Sequence, residues 1–142
     1  MLPALAAPAC GPARAYRGPT LPRSETGVLS IRGTGHDVGM AGDTRYMVSL
    51  RKLDGRPWRG IKSIVSVLPG PHTVELRWHK MKVPYWPGDD LHADRQHWVP
   101  IAGGSAIYEI DAEAGVSYEL IWPDDGPDVP AGPPLGFEPI VR

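Results

Sequence analysis

Glycine and proline divide this sequence into short pieces, and their spacing limits its fold more than any other feature. The 17 glycines and 17 prolines cluster near both ends and between short apolar runs. No run between them sustains the apolar spacing of an amphipathic helix. This punctuation is typical of a loop-rich β-protein, and a length of 142 residues suits a single domain.

Alternation of apolar and polar residues identifies the strands, most clearly in residues 72–79. There, His72, Val74, Leu76 and Trp78 fall on one face, and polar residues fall on the other. Successive side chains of a strand point to opposite sides, so this pattern predicts a strand with one buried face and one wet face. The same reasoning predicts strands over residues 27–32, 45–53, 61–68, 72–79, 101–111 and 116–122.

The turns between these strands are short, as the Asp54-Gly55 dipeptide indicates. Short turns join consecutive strands into antiparallel hairpins. About six or seven such strands predict an all-β fold, either a small antiparallel β-sandwich or a partly open barrel, and the apolar strand faces favour the sandwich. We assign a signal-peptide remnant and tether to residues 1–26, the β-sandwich domain to residues 27–122, and an extended Pro/Gly-rich tail to residues 123–142.

Charge and hydropathy argue against two classes of protein. The formal net charge is −1 with both signs interspersed, so the chain has no basic field to attract nucleic acid. No apolar run reaches the roughly 18 residues that a membrane-spanning helix needs. We therefore expect neither a nucleic-acid partner nor a transmembrane helix.

The segment before the single cysteine resembles the end of a bacterial lipoprotein signal peptide. Residues 1–9 are apolar or small, Ala9 precedes Cys10, and Gly11 follows it. In such signals the thiol is acylated and the chain is then cleaved on its N-terminal side, which predicts lipidation at Cys10 and a location on the periplasmic face of a bacterial membrane. A basic region and a full apolar segment are missing, as they would be with a start codon assigned too far downstream. The alternative is a disordered Ala/Pro-rich tail with an incidental cysteine.

Four short motifs follow the cysteine and span most of residues 10–122. In chain order they are Tyr16-x-Gly18-x-x-Leu21-Pro22-x-x-Glu25, Asp54-Gly55, Leu68-Pro69-Gly70-x-His72 and Ala112-x-Ala114-Gly115-x-x-Tyr118-x-Leu120. Their order resembles that of a loose group of uncharacterised bacterial lipoproteins with a small β-sandwich domain. The resemblance implies a membrane-tethered β-sandwich that is not an enzyme, and it implies no particular activity.

Aromatic residues of the long loop over residues 85–98 form a candidate ligand surface. Tyr85, Trp86 and Trp98 lie in or beside this loop, and Trp58 lies beside another. Aromatic side chains are favoured at binding sites, here for a carbohydrate or a peptide. The alternative is that these rings fold back onto the sandwich.

The same loop holds a weak candidate for a metal site. Its polar residues are His92, Asp94 and His97, together with Asp89 and Asp90. Imidazole and carboxylate groups can bind zinc or a similar divalent ion. The spacing matches neither a standard zinc signature nor an EF-hand loop. We therefore expect a solvated polar loop without a metal or other cofactor, and keep the metal site as the alternative.

We predict no catalytic residue. His72 follows a turn, where a hydrogen-bonded histidine at the sheet edge is favoured over a catalytic base. The His36-Asp37 pair could orient a base, but the chain has no Gly-x-Ser-x-Gly nucleophile motif.

Two functions of different classes follow from these observations. The first is a non-enzymatic, membrane-tethered envelope lipoprotein with a binding or scaffolding role, whose partners are the membrane, through its lipid anchor, and an envelope protein or glycan. The second is a soluble periplasmic module that binds a metal or a glycan with residues 85–98. A hydrolase assembled from distant residues is a third, weaker hypothesis. Membrane fractionation distinguishes the first from the second.

Overall fold

A computed structural model describes residues 11–35, 44–82, 98–123 and 132–140. Across these ranges two β-sheets pack face to face without closing into a barrel, which confirms the predicted all-β fold and β-sandwich. A 3-10 turn covers Arg23–Glu25. In chain order, the strands are β1 (Ala13–Arg14), β2 (Gly27–Ser30), β3 (Thr34–Gly35), β4 (Thr44–Leu53), β5 (Arg56–Pro57), β6 (Ile64–Val67), β7 (Gly70–Lys82), β8 (Val99–Ala112), β9 (Ser117–Ile121) and β10 (Gly136–Pro139).

The two sheets differ in how their strands pair. The first has the order β1-β6-β2-β9-β10, in which β1 runs parallel to β6 and β2 runs parallel to β9. The second has the order β3-β4-β7-β8, with β5 paired to β4, and is antiparallel throughout. The prediction that consecutive strands form antiparallel hairpins therefore fails for β2, and it fails for the β6–β7 and β8–β9 connections, whose strands lie in different sheets. The neighbours of β2, β6 and β9, come from distant parts of the chain because the chain crosses between the sheets of a sandwich.

The core lies between the sheets, on the faces that alternation predicted. Val74 and Leu76 of β7 are fully buried, and Tyr118 and Leu120 of β9 are almost so. Their strand neighbour Glu119 is exposed. The predicted register of both strands is thereby confirmed, since a shift by one residue would exchange the two faces.

A β-bulge in β4 changes which of its residues face the core. Tyr46 and Leu50 are buried, as alternation predicts. The register against β7 then shifts between Leu50 and Lys52, leaving Arg51 as the extra residue. As a result Leu53 is buried and Lys52 is exposed, the reverse of what strict alternation would give.

The sheet extends beyond the predicted domain bounds of 27–122. Within the predicted tether, Ala13–Arg14 pairs with β6, and within the predicted tail, Gly136–Pro139 pairs with β9. The Tyr108 hydroxyl donates a hydrogen bond to the Pro134 carbonyl, and the Tyr108 ring meets Phe137 edge to face at 6.2 Å. Both end segments, where described, thus pack on the sandwich. Sequence reasoning missed them because they lie in Pro- and Gly-rich stretches, which it assigned to a tether and a tail.

Candidate functional site

Most residues that the sequence suggested for a site lie outside the described residues. This is so for the lipidation residue, for two of the aromatic residues, for the His36-Asp37 pair and for all the metal-site candidates. They are Cys10, His36, Asp37, Tyr85, Trp86, Asp89, Asp90, His92, Asp94 and His97. The structure does describe Gly11, which follows the cysteine, as well as His72 and Trp98.

Trp98 is half-buried just before the start of β8 and contacts a cation of β4. The guanidinium carbon of Arg45 lies 4.3 Å from the centroid of the Trp98 ring. At this distance the positive charge is attracted to the ring face. One member of the predicted aromatic surface is therefore paired with an arginine of the second sheet.

The other described tryptophans belong to the sandwich itself. Trp78 is buried, and Trp122 packs against the core, stacking on the Tyr46 ring at 4.5 Å. The Trp122 Nε1 atom donates a hydrogen bond to the Arg32 carbonyl, 2.9 Å away. Trp58 also packs against the core, so for this residue the alternative of folding back onto the sandwich is correct.

His72 is held by two acceptors at the end of the sandwich. Its Nδ1 atom lies 2.7 Å from Asp54 Oδ2, and its Nε2 atom lies 2.6 Å from the Leu68 carbonyl oxygen. The second oxygen of Asp54 accepts a hydrogen bond from the Thr73 backbone N–H at 2.8 Å. The prediction of a hydrogen-bonded histidine is confirmed, and both ring nitrogens face groups of the protein.

Asp54 and Gly55 form the turn between β4 and β5. Their φ angles are +53° and +78°. Two consecutive positive φ angles define the type I′ turn of a two-residue hairpin, which favours Asp or Asn followed by Gly. The turn fixes the carboxylate that His72 contacts.

Residues of the other motifs close turns in the same way. The Leu21 N–H donates to the Tyr16 hydroxyl at 3.0 Å, and the Glu113 N–H donates to the Tyr118 hydroxyl at 2.9 Å. Gly115 has a φ of +79°, which a residue with a side chain rarely adopts. The motifs that carry the resemblance therefore have structural roles at turns.

The N-terminal segment lies against the first sheet from its first described residue. The Lys62 ammonium donates a hydrogen bond to the Gly11 carbonyl at 2.7 Å. Ala13–Arg14 then forms β1, and the Ala15 N–H donates to the Ser66 carbonyl at 2.9 Å. Residue 11 is thus already part of the folded domain.

A cavity of about 480 Å³, which we call the N-terminal groove, lies between this segment and the first sheet. Val28 and Ser66 pair in register on the outer face of that sheet, and both are buried. The chain over residues 20–23 forms another side of the groove. Its polar lining includes Arg14, Arg23, Lys62, Tyr16, Thr20 and Ser66.

Three exposed cations of the N-terminal groove contact neutral groups of the described chain: carbonyl and hydroxyl oxygens and, for Arg14, also the Tyr16 ring at 5.7 Å. Arg14 donates to the Gly18 carbonyl at 2.7 Å and to the Thr20 hydroxyl at 3.1 Å. Arg23 donates to the Ser117 hydroxyl at 3.1 Å. Since a guanidinium group carries five N–H donors, both arginines keep donors for a further ligand. Among the described residues that line the groove there is no carboxylate.

A second cleft of about 570 Å³ lies beside the Asp54-Gly55 turn. Arg14 and Tyr16 line both cavities, and Arg17 and Arg56 line only the second. Asp54 is the one carboxylate in its lining, and His72 already contacts it. The two cavities therefore form one cationic region around residues 14–17.

The described ranges contain neither a metal cluster nor a spanning helix. No group of three or more His, Cys, Asp or Glu residues in them is arranged to hold a metal ion. No helix among them is long and apolar enough to cross a membrane.

Comparisons of the chain with protein-family models, with curated proteins and with solved structures give no match. The resemblance to bacterial lipoproteins, drawn from the motifs, stays a prediction.

Sequence reasoning missed the N-terminal groove because it assigned residues 11–26 to a tether. Arg14 and Arg23 come from this segment, and the sheet brings them together with Lys62, which lies 51 residues after Gly11 in the sequence. A signal was present in the basic residues of the segment, Arg14, Arg17 and Arg23, which outnumber its single acid, Glu25.

Proposed function

We propose that this chain is a non-enzymatic envelope lipoprotein, anchored to the periplasmic face of a bacterial membrane through an acylated Cys10. Its β-sandwich has a binding or scaffolding role. The observation that carries the proposal is the run of small residues before Cys10, with Ala9 directly before the thiol and Gly11 after it. A lone thiol in an exported protein is accounted for by such a modification.

The N-terminal segment supports an anchor at this position. Gly11 is hydrogen-bonded to Lys62, and the chain enters the first sheet two residues later. Cys10 is therefore attached directly to the folded domain, and an acyl group there would hold the domain itself against the bilayer.

The contacts of His72 support a non-enzymatic role. Its Nδ1 and Nε2 atoms face Asp54 and the Leu68 carbonyl, so neither is directed at a substrate. A general base needs a ring nitrogen within hydrogen-bond reach of the proton that it removes.

Fractionation of cells that express the chain from its own gene, with the sequence upstream of Met1 included, tests the proposal. We expect the native protein in the membrane fraction, with a mature N-terminus at position 10. A matched form, with Cys10→Ser behind an ordinary cleavable secretory signal, should appear in the soluble periplasmic fraction. Native protein found wholly in the soluble fraction would contradict the lipoprotein.

A soluble periplasmic module that binds through residues 85–98 is the second candidate. The observation that favours it is the Arg45–Trp98 pair, because an aromatic ring beside a cation suits a polar ligand with an apolar face. Zinc or a soluble glycan should then raise the melting temperature of the chain, as a ligand specific to the folded state does. The His92→Ala/His97→Ala variant should abolish a zinc effect, and Trp98→Ala should abolish a glycan effect.

A further inference from the structure

We propose that the N-terminal groove is a docking surface for the headgroups of anionic phospholipids. The proposal rests on the proposed anchor at Cys10, which would bring the groove to the bilayer. It goes further in assigning a ligand class to Arg14, Arg23 and Lys62.

The position of the groove is the first argument. Consecutive Cα atoms are about 3.8 Å apart, so an acylated Cys10 lies next to Gly11, itself part of the groove lining. A flexible tether over residues 11–26 would instead separate anchor and domain by roughly 20 Å. That distance exceeds the Debye length of about 8 Å at physiological salt, whereas direct attachment keeps the groove cations within range of the lipid charge.

The chemistry of the cations is the second argument. Arg14, Arg23 and Lys62 are exposed, and their acceptors in the described chain are carbonyl and hydroxyl oxygens. Guanidinium groups match the geometry of phosphate oxygens and bind them with two parallel hydrogen bonds. The phosphodiester of an anionic phospholipid supplies the missing charge.

The remaining charges of the same sheet face set an orientation. Glu119 and Glu138 are exposed on the outer face at β9 and β10, away from β1 and β6. Arg23 reaches Ser117 of β9, two residues before Glu119 on the same face, so the boundary between cations and acids runs along β9. Anionic lipid attracts the groove cations and repels the two glutamates. The domain therefore tilts with the N-terminal groove toward the bilayer and the two glutamates away from it.

The groove cations would also strengthen the membrane binding of an anchored domain. Acyl chains and a basic patch each contribute to the free energy of membrane binding, so the groove cations add to the anchor. Each cation near an anionic surface strengthens partitioning about fivefold, so the three groove cations together are worth on the order of a hundredfold.

Vesicle co-sedimentation of the full chain carrying Cys10→Ser tests the groove without the anchor. The probes are phosphatidylcholine vesicles with and without phosphatidylglycerol, and polygalacturonate beads as a non-lipid polyanion. We expect binding only to the vesicles that contain phosphatidylglycerol, and release by added sodium chloride. The Arg14→Gln/Arg23→Gln/Lys62→Gln variant should bind on the order of a hundredfold more weakly. The matched control Arg51→Gln/Arg77→Gln/Lys82→Gln, with three exposed cations of the second sheet, should bind as the parent does.

The possible outcomes test the groove independently of the proposed anchor at Cys10. Equal binding to both vesicle types, no binding, an equal loss in the control variant, or tighter binding to polygalacturonate would each overturn the lipid-docking groove. Because the tested protein carries no thiol at position 10, none of these results depends on acylation. A melting curve checks that the groove variant folds. If the variant does not fold, the effect of sodium chloride on vesicle binding by the parent chain still tests the proposal.

Discussion

His72 of β7 contacts Asp54 of the β4–β5 turn, with Nδ1 of the histidine lying 2.7 Å from Oδ2 of the aspartate. The two residues are 18 positions apart in the sequence. The same carboxylate also accepts the Thr73 N–H. Through these contacts Asp54 ties the β4–β5 turn to the start of β7. The pair joins two of the four sequence motifs, Asp54-Gly55 and Leu68-Pro69-Gly70-x-His72.

Substitution of Asp54 tests this link. Asp54→Ala removes the acceptor of both hydrogen bonds and places alanine at a φ of +53°, so we expect a loss of about 2 kcal/mol in the free energy of unfolding. Asp54→Asn tolerates this φ, accepts from the Thr73 N–H and keeps an amide group beside His72, and should cost less than about 0.5 kcal/mol. Urea denaturation measures the free energy of unfolding of both variants, with Glu109→Ala as a control at an exposed position. If Asp54→Ala and Asp54→Asn lose equal stability, the Asp54 hydrogen bonds do not stabilise the fold.

Two like charges on β9 and β10 predict a stabilising substitution. Glu119 and Glu138 are paired in register and both exposed, and like charges directly opposite each other destabilise a sheet. Glu138→Lys should raise the free energy of unfolding by about 0.5 kcal/mol at low salt, with a smaller gain at high salt. The double variant Glu119→Lys/Glu138→Lys restores a like-charged pair and should lose the gain. If Glu138→Lys is destabilising, β10 does not pair in this register.

Tyr108 predicts how stability changes at alkaline pH. Burial raises the pKa of its hydroxyl above the ordinary value of 10.0, and the hydroxyl donates to the Pro134 carbonyl. Above pH 10 the unfolded chain loses this proton before the folded chain does, so stability falls as pH rises toward the folded-state pKa. Tyr108→Phe should lower stability at neutral pH by about 1 kcal/mol and show a shallower alkaline decline. If the stability of the parent and of Tyr108→Phe falls equally steeply above pH 10, burial of the Tyr108 hydroxyl does not cause the alkaline decline.

Much of the fold was predictable because one face of each long strand is buried. Alternation placed Val74, Leu76, Tyr118 and Leu120 correctly in the core. It could not predict that Leu53 is buried, because a bulge has no signature in a pattern of period two. Nor could it predict β1 and β10, whose backbones pair with the sheet over only two and four residues.

The candidate site was less predictable than the fold. Acylation of Cys10 is predicted from the local sequence alone, and it stays a prediction. The N-terminal groove depends on Lys62 and Arg23 meeting Gly11 and Ser117 across the first sheet. Contacts of this kind depend on the order of strands, which hydrophobic periodicity does not specify.

Metabolic labelling with palmitate tests the central claim, acylation of Cys10, most directly. The chain is expressed from its own gene, including the sequence upstream of Met1, and compared with Cys10→Ser and with the neighbouring control Thr20→Ser. The account predicts palmitate label on the native chain and on Thr20→Ser, and none on Cys10→Ser. An unlabelled native chain, or equal label on the Cys10→Ser form, would contradict it.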